Sequence, residues 1–134
     1  MTDINQLLSP FTYHLGIEIV SMLDGTAELT VELVPELLNG AGMAHGGLIA
    51  TLVDGAAGAA VFSIVAEDKM AVTTDLNLSC LKSCFHGVVT AKGKVVHRGQ
   101  RLMHADVGVY SEQTLIARGA VSFMVIDRPV PKTQ

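Results

Sequence analysis

From Gly47 to Ala66 the chain is apolar or small at almost every position and carries one charge, Asp54. A segment with no polar face predicts a long central helix buried on all sides. A carboxylate inside such a helix must find partners or change its pKa, because an unpaired buried charge is very costly. Immediately after it come Gly55, Ala56, Ala57, Gly58, Ala59 and Ala60, small enough to let another backbone approach.

Around this helix the pattern changes to strands. Gly16 to Leu23 and Thr26 to Leu33 alternate apolar and polar residues, and Asp24-Gly25 between them is a two-residue hairpin signal. Pro35 ends the second strand, since it cannot donate to a ladder. A glycine-rich loop from Glu36 to Gly46 follows. Beyond the helix, Ala71 to Cys80 reads as a half-buried strand, with Val72, Thr74, Leu76 and Leu78 on one face and Thr73, Asp75, Asn77 and Ser79 on the other. Gly87 to His97, Leu102 to Tyr110 and Leu115 to Ile126 complete the strands, the first two joined by a tight turn at Arg98-Gly99-Gln100. At the start, Thr2 to Leu8 forms a short helix capped by Thr2 or Asp3 and stopped by Pro10. The end, residues 127–134 with Pro129 and Pro131, is a loose tail. One helix and five or six antiparallel strands make an α+β layout, the sheet curving round the helix.

Composition narrows the class. The 134 residues suit one domain, residues 1–134 with a core over 11–126. Hydrophobic residues make up 49% of the chain and charged ones 16%, more apolar surface than one small interior absorbs, which points to an oligomer. A net charge of −4 argues against nucleic acid as a partner. Cys80 and Cys84 stand in a C-x-x-x-C spacing that is neither a zinc nor a redox motif, and two reduced thiols fit a cytoplasmic protein. The first ten residues lack the basic and apolar regions of a signal peptide. Leu48 to Ala66 approaches the length of a membrane span. Asp54 near its middle, which costs about 2.5–3.5 kcal/mol on insertion scales, and the absence of Lys/Arg flanks oppose one.

The chemistry gathers at Asn39, His45, Gly46, Gly47 and Asp54, spaced N-x5-H-G-G-x6-D. With this motif and the strand, strand, helix, four-strand order, the chain resembles the hotdog-fold acyl-CoA thioesterases. The subgroup is that of the phenylacetyl-CoA and 4-hydroxybenzoyl-CoA thioesterases. The resemblance covers about Phe11 to Ile126. It implies a hotdog fold, a five- to six-stranded antiparallel sheet wrapped around the helix. The implied activity is hydrolysis of an acyl-CoA thioester to a free acid and CoA, with no metal and no cofactor beyond the CoA of the substrate.

Physical reasoning supports those roles. Free N–H groups and partial positive charge at a helix start let the Gly46 and Gly47 amides polarise a thioester carbonyl and stabilise its oxyanion. Asp54 acts as general base on water or as a nucleophile forming a mixed anhydride. Gly47 and Asp54 share a helical face but lie about 10 Å apart along the axis, too far to serve one thioester from a single chain. Two antiparallel helices across a two-fold axis bring the Asp54 of one to the Gly47 of the other. The family arrangement likewise implies a homodimer with shared active sites, usually paired into a homotetramer.

By resemblance, Asn39 holds the water or the thioester, and Thr73, with Thr74 second, joins the acid from the strand after the helix. The corresponding hairpin of the family contacts CoA phosphates, here through Arg98 and Arg101. Plainer readings stand beside these. Asp54 as a structural acid, His45 as a loop cap rather than an acid-base group, Asn39-Gly40 as a turn, and Arg98 and Arg101 as a solvated hairpin tip are each consistent with the residues. Two other functions compete: a hotdog hydratase or dehydratase acting on acyl-CoA or acyl carrier protein, and a non-catalytic acyl-CoA binding protein.

Overall fold

A computed structural model describes residues 3–130. Its ordered elements are α1 (Pro10–His14), β1 (Glu18–Leu23), β2 (Thr26–Glu32), α2 (Gly46–Phe62), β3 (Lys69–Cys80), β4 (Val88–Arg98), β5 (Leu102–Ser111) and β6 (Thr114–Asp127). All neighbouring strands pair antiparallel in one six-stranded sheet of order β1-β2-β4-β5-β6-β3. Helix α2 leaves β2 near one edge and delivers the chain to β3 at the other, crossing the sheet's inner face. Asp24 and Gly25 both take positive φ, 52° and 82°, as the hairpin signal between β1 and β2 requires.

Helix α2 buries Leu48, Ile49, Leu52, Val53, Ala56, Ala57, Ala60 and Val61, an i, i+1, i+4, i+5 stripe turned to the sheet. Two sheet glycines set how close it comes. A Cβ on Gly93 of β4 would lie 2.6 Å from the Ala56 carbonyl oxygen, and one on Gly119 of β6 would lie 2.6 Å from Val53 Cγ1. Small residues on both sides thus replace side-chain spacers. The expectation of burial on all sides does not hold, because one six-stranded sheet covers only one side. Thr51, Asp54, Gly55, Gly58 and Ala59 are half-buried, and Phe62 is exposed.

The helix is also shorter than its hydropathy predicts, ending at Phe62 rather than Ala66. Polar contacts end it. Ser63 Oγ donates to the Ala60 carbonyl at 2.7 Å and accepts the Gly25 N–H at 2.7 Å, tying the helix end to the β1–β2 turn. The Arg98 guanidinium then takes the Ile64 carbonyl at 3.0 Å. No described helix is long and apolar enough to cross a membrane.

Three further expectations are corrected. Pro10 does not stop a helix but opens α1, with Ser9 capping the Thr12 N–H, because proline's missing N–H costs nothing in the first turn. Upstream, Ile4–Leu7 is a 3₁₀ turn capped by Asp3, whereas Thr2 lies outside the described residues. The tail is not loose at its start. Asp127 belongs to β6 and pairs with Lys69, while Arg128 hydrogen-bonds the carbonyls of Asp68, Glu67 and Lys69. The hydrogen bond and charge of Lys69 hold the Asp127 carboxyl below its ordinary range, and Asp127 raises Lys69 in turn. Residues 131–134 lie outside the description.

The β3 face assignment also changes. The β3–β6 register runs Val72 to Met124, Thr73 to Phe123, then Asp75 to Ser122, so Thr74 is the extra residue of a bulge. The simple alternation fails across it. Ala71 and Thr73 share the helix-facing side with Leu76, all three lining one groove with α2.

The closeness of helix to sheet yields a stability prediction. Gly93→Ala forces a methyl into backbone and is expected to destabilise by about 1–3 kcal/mol. Urea unfolding measures it, and a cost under a few tenths would show that α2 shifts freely.

Candidate active site

Each motif residue has a definite place. His45 is the N-cap of α2, and its Nδ1 accepts the Gly47 N–H at 2.8 Å. The neutral ring therefore carries its proton on Nε2. Of the two readings of His45, the loop-shaping one matches this contact. The same bond occupies the Gly47 amide, leaving Gly46 as the amide of the pair with no hydrogen-bond acceptor among the described residues.

Asn39 shapes the loop ahead of the helix. Its side-chain oxygen accepts the N–H groups of Ala41 at 2.9 Å and Met43 at 3.0 Å. The loop is anchored further by Ala44 N–H on the Cys84 carbonyl and His45 N–H on the Leu37 carbonyl. Asn39 and Gly46 line a small cavity of ≈ 280 Å³ with Cys80, Cys84 and Lys82.

Two turns further along, Asp54 projects from the open side of α2. Thr73 Oγ1 donates to its Oδ1 at 2.8 Å. The bulge in β3 is what turns Thr73 toward the helix. Thr74 faces away and donates to the Ser122 carbonyl at 3.2 Å instead. Asp54 makes no salt bridge among the described residues. It lies in a groove of ≈ 610 Å³ between α2, β3 and the N-terminal segment, and is the one charged residue of the lining among the described residues. Leu7, Phe11, Met22, Phe62, Met70 and Phe123 supply most of the apolar wall.

Arg98 and Arg101 sit elsewhere. They line a separate cavity of ≈ 910 Å³ with Lys69 and Asp127, beyond the C-terminal end of α2. Phe62, the last helical residue, is about 12 Å along the axis from Asp54. Arg98 is engaged by Ile64 and Lys69 by Asp127, while Arg101 is exposed.

Within one chain, then, the structure joins Asp54 and Thr73. Asn39, His45, Gly46 and Gly47 form a second group at the helix start, and Arg98 and Arg101 a third. Sequence reasoning missed Thr51, which lies on the same stripe between Gly47 and Asp54 and donates to the Gly47 carbonyl at 2.8 Å. Its i+4 spacing from Gly47 is the signal that finds it. It also missed the wall formed by Leu7 and Phe11, which only the folding-back of the N-terminal segment creates.

Comparison with known proteins gives the family. A family model described as the thioesterase superfamily matches residues 41–117, from the glycine-rich loop into β6. The chain belongs to the thioesterase superfamily. It is 32% identical to the acyl-coenzyme A thioesterase PaaI of Escherichia coli, over 74% of this chain and 69% of that one. It is 28% identical to a 1,4-dihydroxy-2-naphthoyl-CoA hydrolase of Listeria monocytogenes, over 73% of this chain and 80% of that one. Among solved structures, a thioesterase of Haemophilus influenzae superposes with a TM-score of 0.88 at 26% identity, covering 95% of this chain and 92% of that chain. The fold is therefore the hotdog fold, and the protein is an enzyme of the thioester hydrolase class.

The cap predicts its own test. His45→Ala removes the side-chain acceptor at the helix start and is expected to lower stability by about 1 kcal/mol. Denaturant unfolding measures it, and unchanged stability would show that the Gly47 N–H finds an equal partner in water.

Proposed function

We propose that this thioesterase hydrolyses acyl-CoA to a free carboxylic acid and CoA, with Asp54 as its reacting carboxylate. The observation that carries the reading is the Asp54–Thr73 hydrogen bond inside a groove with no other charged side chain among the described residues. Thr73 holds one carboxylate oxygen and leaves the other for a water or for the thioester carbon. As general base, Asp54 takes a proton from water while the water oxygen bonds to the carbonyl carbon. The C–S bond then breaks and the proton passes to the departing CoA sulfur. As nucleophile, Asp54 itself displaces the thiolate, and water cleaves the mixed anhydride. An acid with no salt bridge among the described residues and opening on a groove also weighs against a purely acyl-CoA-binding role.

The oxyanion donor comes from a partner subunit in this reading. Strand β3 is a twelve-residue edge of the sheet with one row of backbone groups unpaired, a ready template for a second β3. Pairing there continues the sheet across a homodimer and sets two α2 helices antiparallel, each Asp54 near the other helix's start. The thioester oxygen then takes the Gly47 N–H in place of the His45 ring, with the Gly46 N–H beside it. Asn39 keeps the loop in shape for that exchange. Arg101, with Arg98 and Lys69, provides positive charge for the CoA phosphates at the far cavity.

Two outcomes test this. Asp54→Ala is expected to lower kcat on acyl-CoA by about 10²-fold or more, followed with a thiol-detecting reagent. A mutant as fast as wild type would remove Asp54 from the chemistry. Thr73→Val is expected to slow turnover measurably while Thr74→Val leaves it near wild type, and the reverse order would reject the bulge-based assignment.

A further inference from the structure

Glycine inside a helix is unfavourable relative to alanine, through backbone entropy and exposure. It is explained where a Cβ has no room. Gly93 and Gly119 of the sheet are explained in this way, each with an atom of α2 2.6 Å from the missing Cβ. Within α2, Gly55 is partly explained, since its Cβ would stand 3.2 Å from Leu29 Cδ2. Gly58 is not. Apart from its own helix, a Cβ there meets no described atom nearer than 4.0 Å, the edge of the Phe123 ring at ordinary contact distance. Yet Gly58 lies in the helix interior, one turn beyond Asp54, and lines the groove that holds Asp54 and Thr73. The chain bears the cost of a glycine at a place where, among the described residues, a Cβ would fit against Phe123 without strain.

We propose that Gly58 is a specificity-determining residue, its missing side chain leaving room for the acyl group of the substrate as it runs along α2 from Asp54 toward Phe62. The inference rests on the thioester-hydrolysis reading above. Gly58 is about 6 Å along the axis from Asp54, so an acyl group that uses this space extends well past its carbonyl. Acetyl falls short of it, whereas a medium-length alkyl or an aryl-acetyl group reaches it. Past Asp54 the lining carries no charge among the described residues, and Met22, Phe62, Met70 and Phe123 present apolar surface. An acyl group ending in a carboxylate or ammonium would be desolvated there without a partner. The substrate class is therefore an uncharged, apolar acyl thioester longer than acetyl.

The test compares wild type with Gly58→Ala and Gly58→Leu, reading thermal unfolding, size-exclusion elution and kcat/KM on acetyl-, octanoyl- and phenylacetyl-CoA. Replacing this helix glycine, whose Cβ would meet Phe123 at no more than ordinary contact distance, is expected to raise Tm by roughly 2–8 °C in Gly58→Ala. At the same time kcat/KM for octanoyl- or phenylacetyl-CoA is expected to fall by about 10-fold or more, with acetyl-CoA turnover unchanged. Gly58→Leu deepens the same loss. A uniform fall across all three substrates, or unchanged ratios, would overturn the assignment while leaving thioester hydrolysis intact. A lower Tm with loss of the dimer would overturn it by giving the space to a second copy of the chain. Wild-type protein that cleaves none of the three would bring down the hydrolysis reading and this one together.

Discussion

Helix α2 lies so close to the sheet that Gly93 and Gly119 have no room for a Cβ. Everything else in the molecule follows from that approach. It fixes the rotation of the helix about its axis, turning Leu52, Val53, Ala56, Ala57 and Ala60 inward. The opposite stripe, with Thr51, Asp54, Gly55 and Gly58, is then left facing a groove. A helix held off by larger side chains could roll, and the carboxylate would lose its defined position over β3. The burial of the apolar stripe, worth about 25 cal/mol for each Å² removed from water, is what drives the packing, and the glycines set its register.

The carboxylate's second constraint is the extra residue in β3. With perfect alternation Thr73 would face away from the helix and Thr74 toward it. The bulge inserts one residue, so Thr73 joins Ala71 and Leu76 on the inner side and reaches Asp54. Bulges re-aim side chains at the cost of one broken step in the ladder. Here the Thr74 hydroxyl recovers part of that step on the Ser122 carbonyl. The polar partner of Asp54 thus depends on a backbone irregularity that a distant strand, β6, helps to hold.

Polar side chains also decide where elements end. Ser63 closes the helix against the β1–β2 turn, Arg98 captures the Ile64 carbonyl just beyond it, and His45 caps its start. Arg128 fastens the chain after β6 to the loop before β3. Each satisfies backbone groups that the apolar segment leaves open at its ends. Hydropathy alone does not register such contacts, because they link residues far apart in sequence.

The order of elements, the antiparallel α+β layout and the place of Asp54 on the central helix were legible in the chain itself. Period-two alternation, Asp24-Gly25 and the apolar run around one acid are local signals, and local sterics and burial dictate them. The motif that leads to the thioesterase superfamily is likewise written in sequence, as residues 39–54. What only the tertiary structure decided was which groups meet. It exposed one side of a helix whose composition suggested full burial, because a single sheet can cover only one side. It chose Thr73 over Thr74 through the bulge, and gave the Gly47 N–H to His45. It also separated Arg98 and Arg101 from the Asp54 groove. Those outcomes depend on register and close approach between distant segments, which no local pattern encodes.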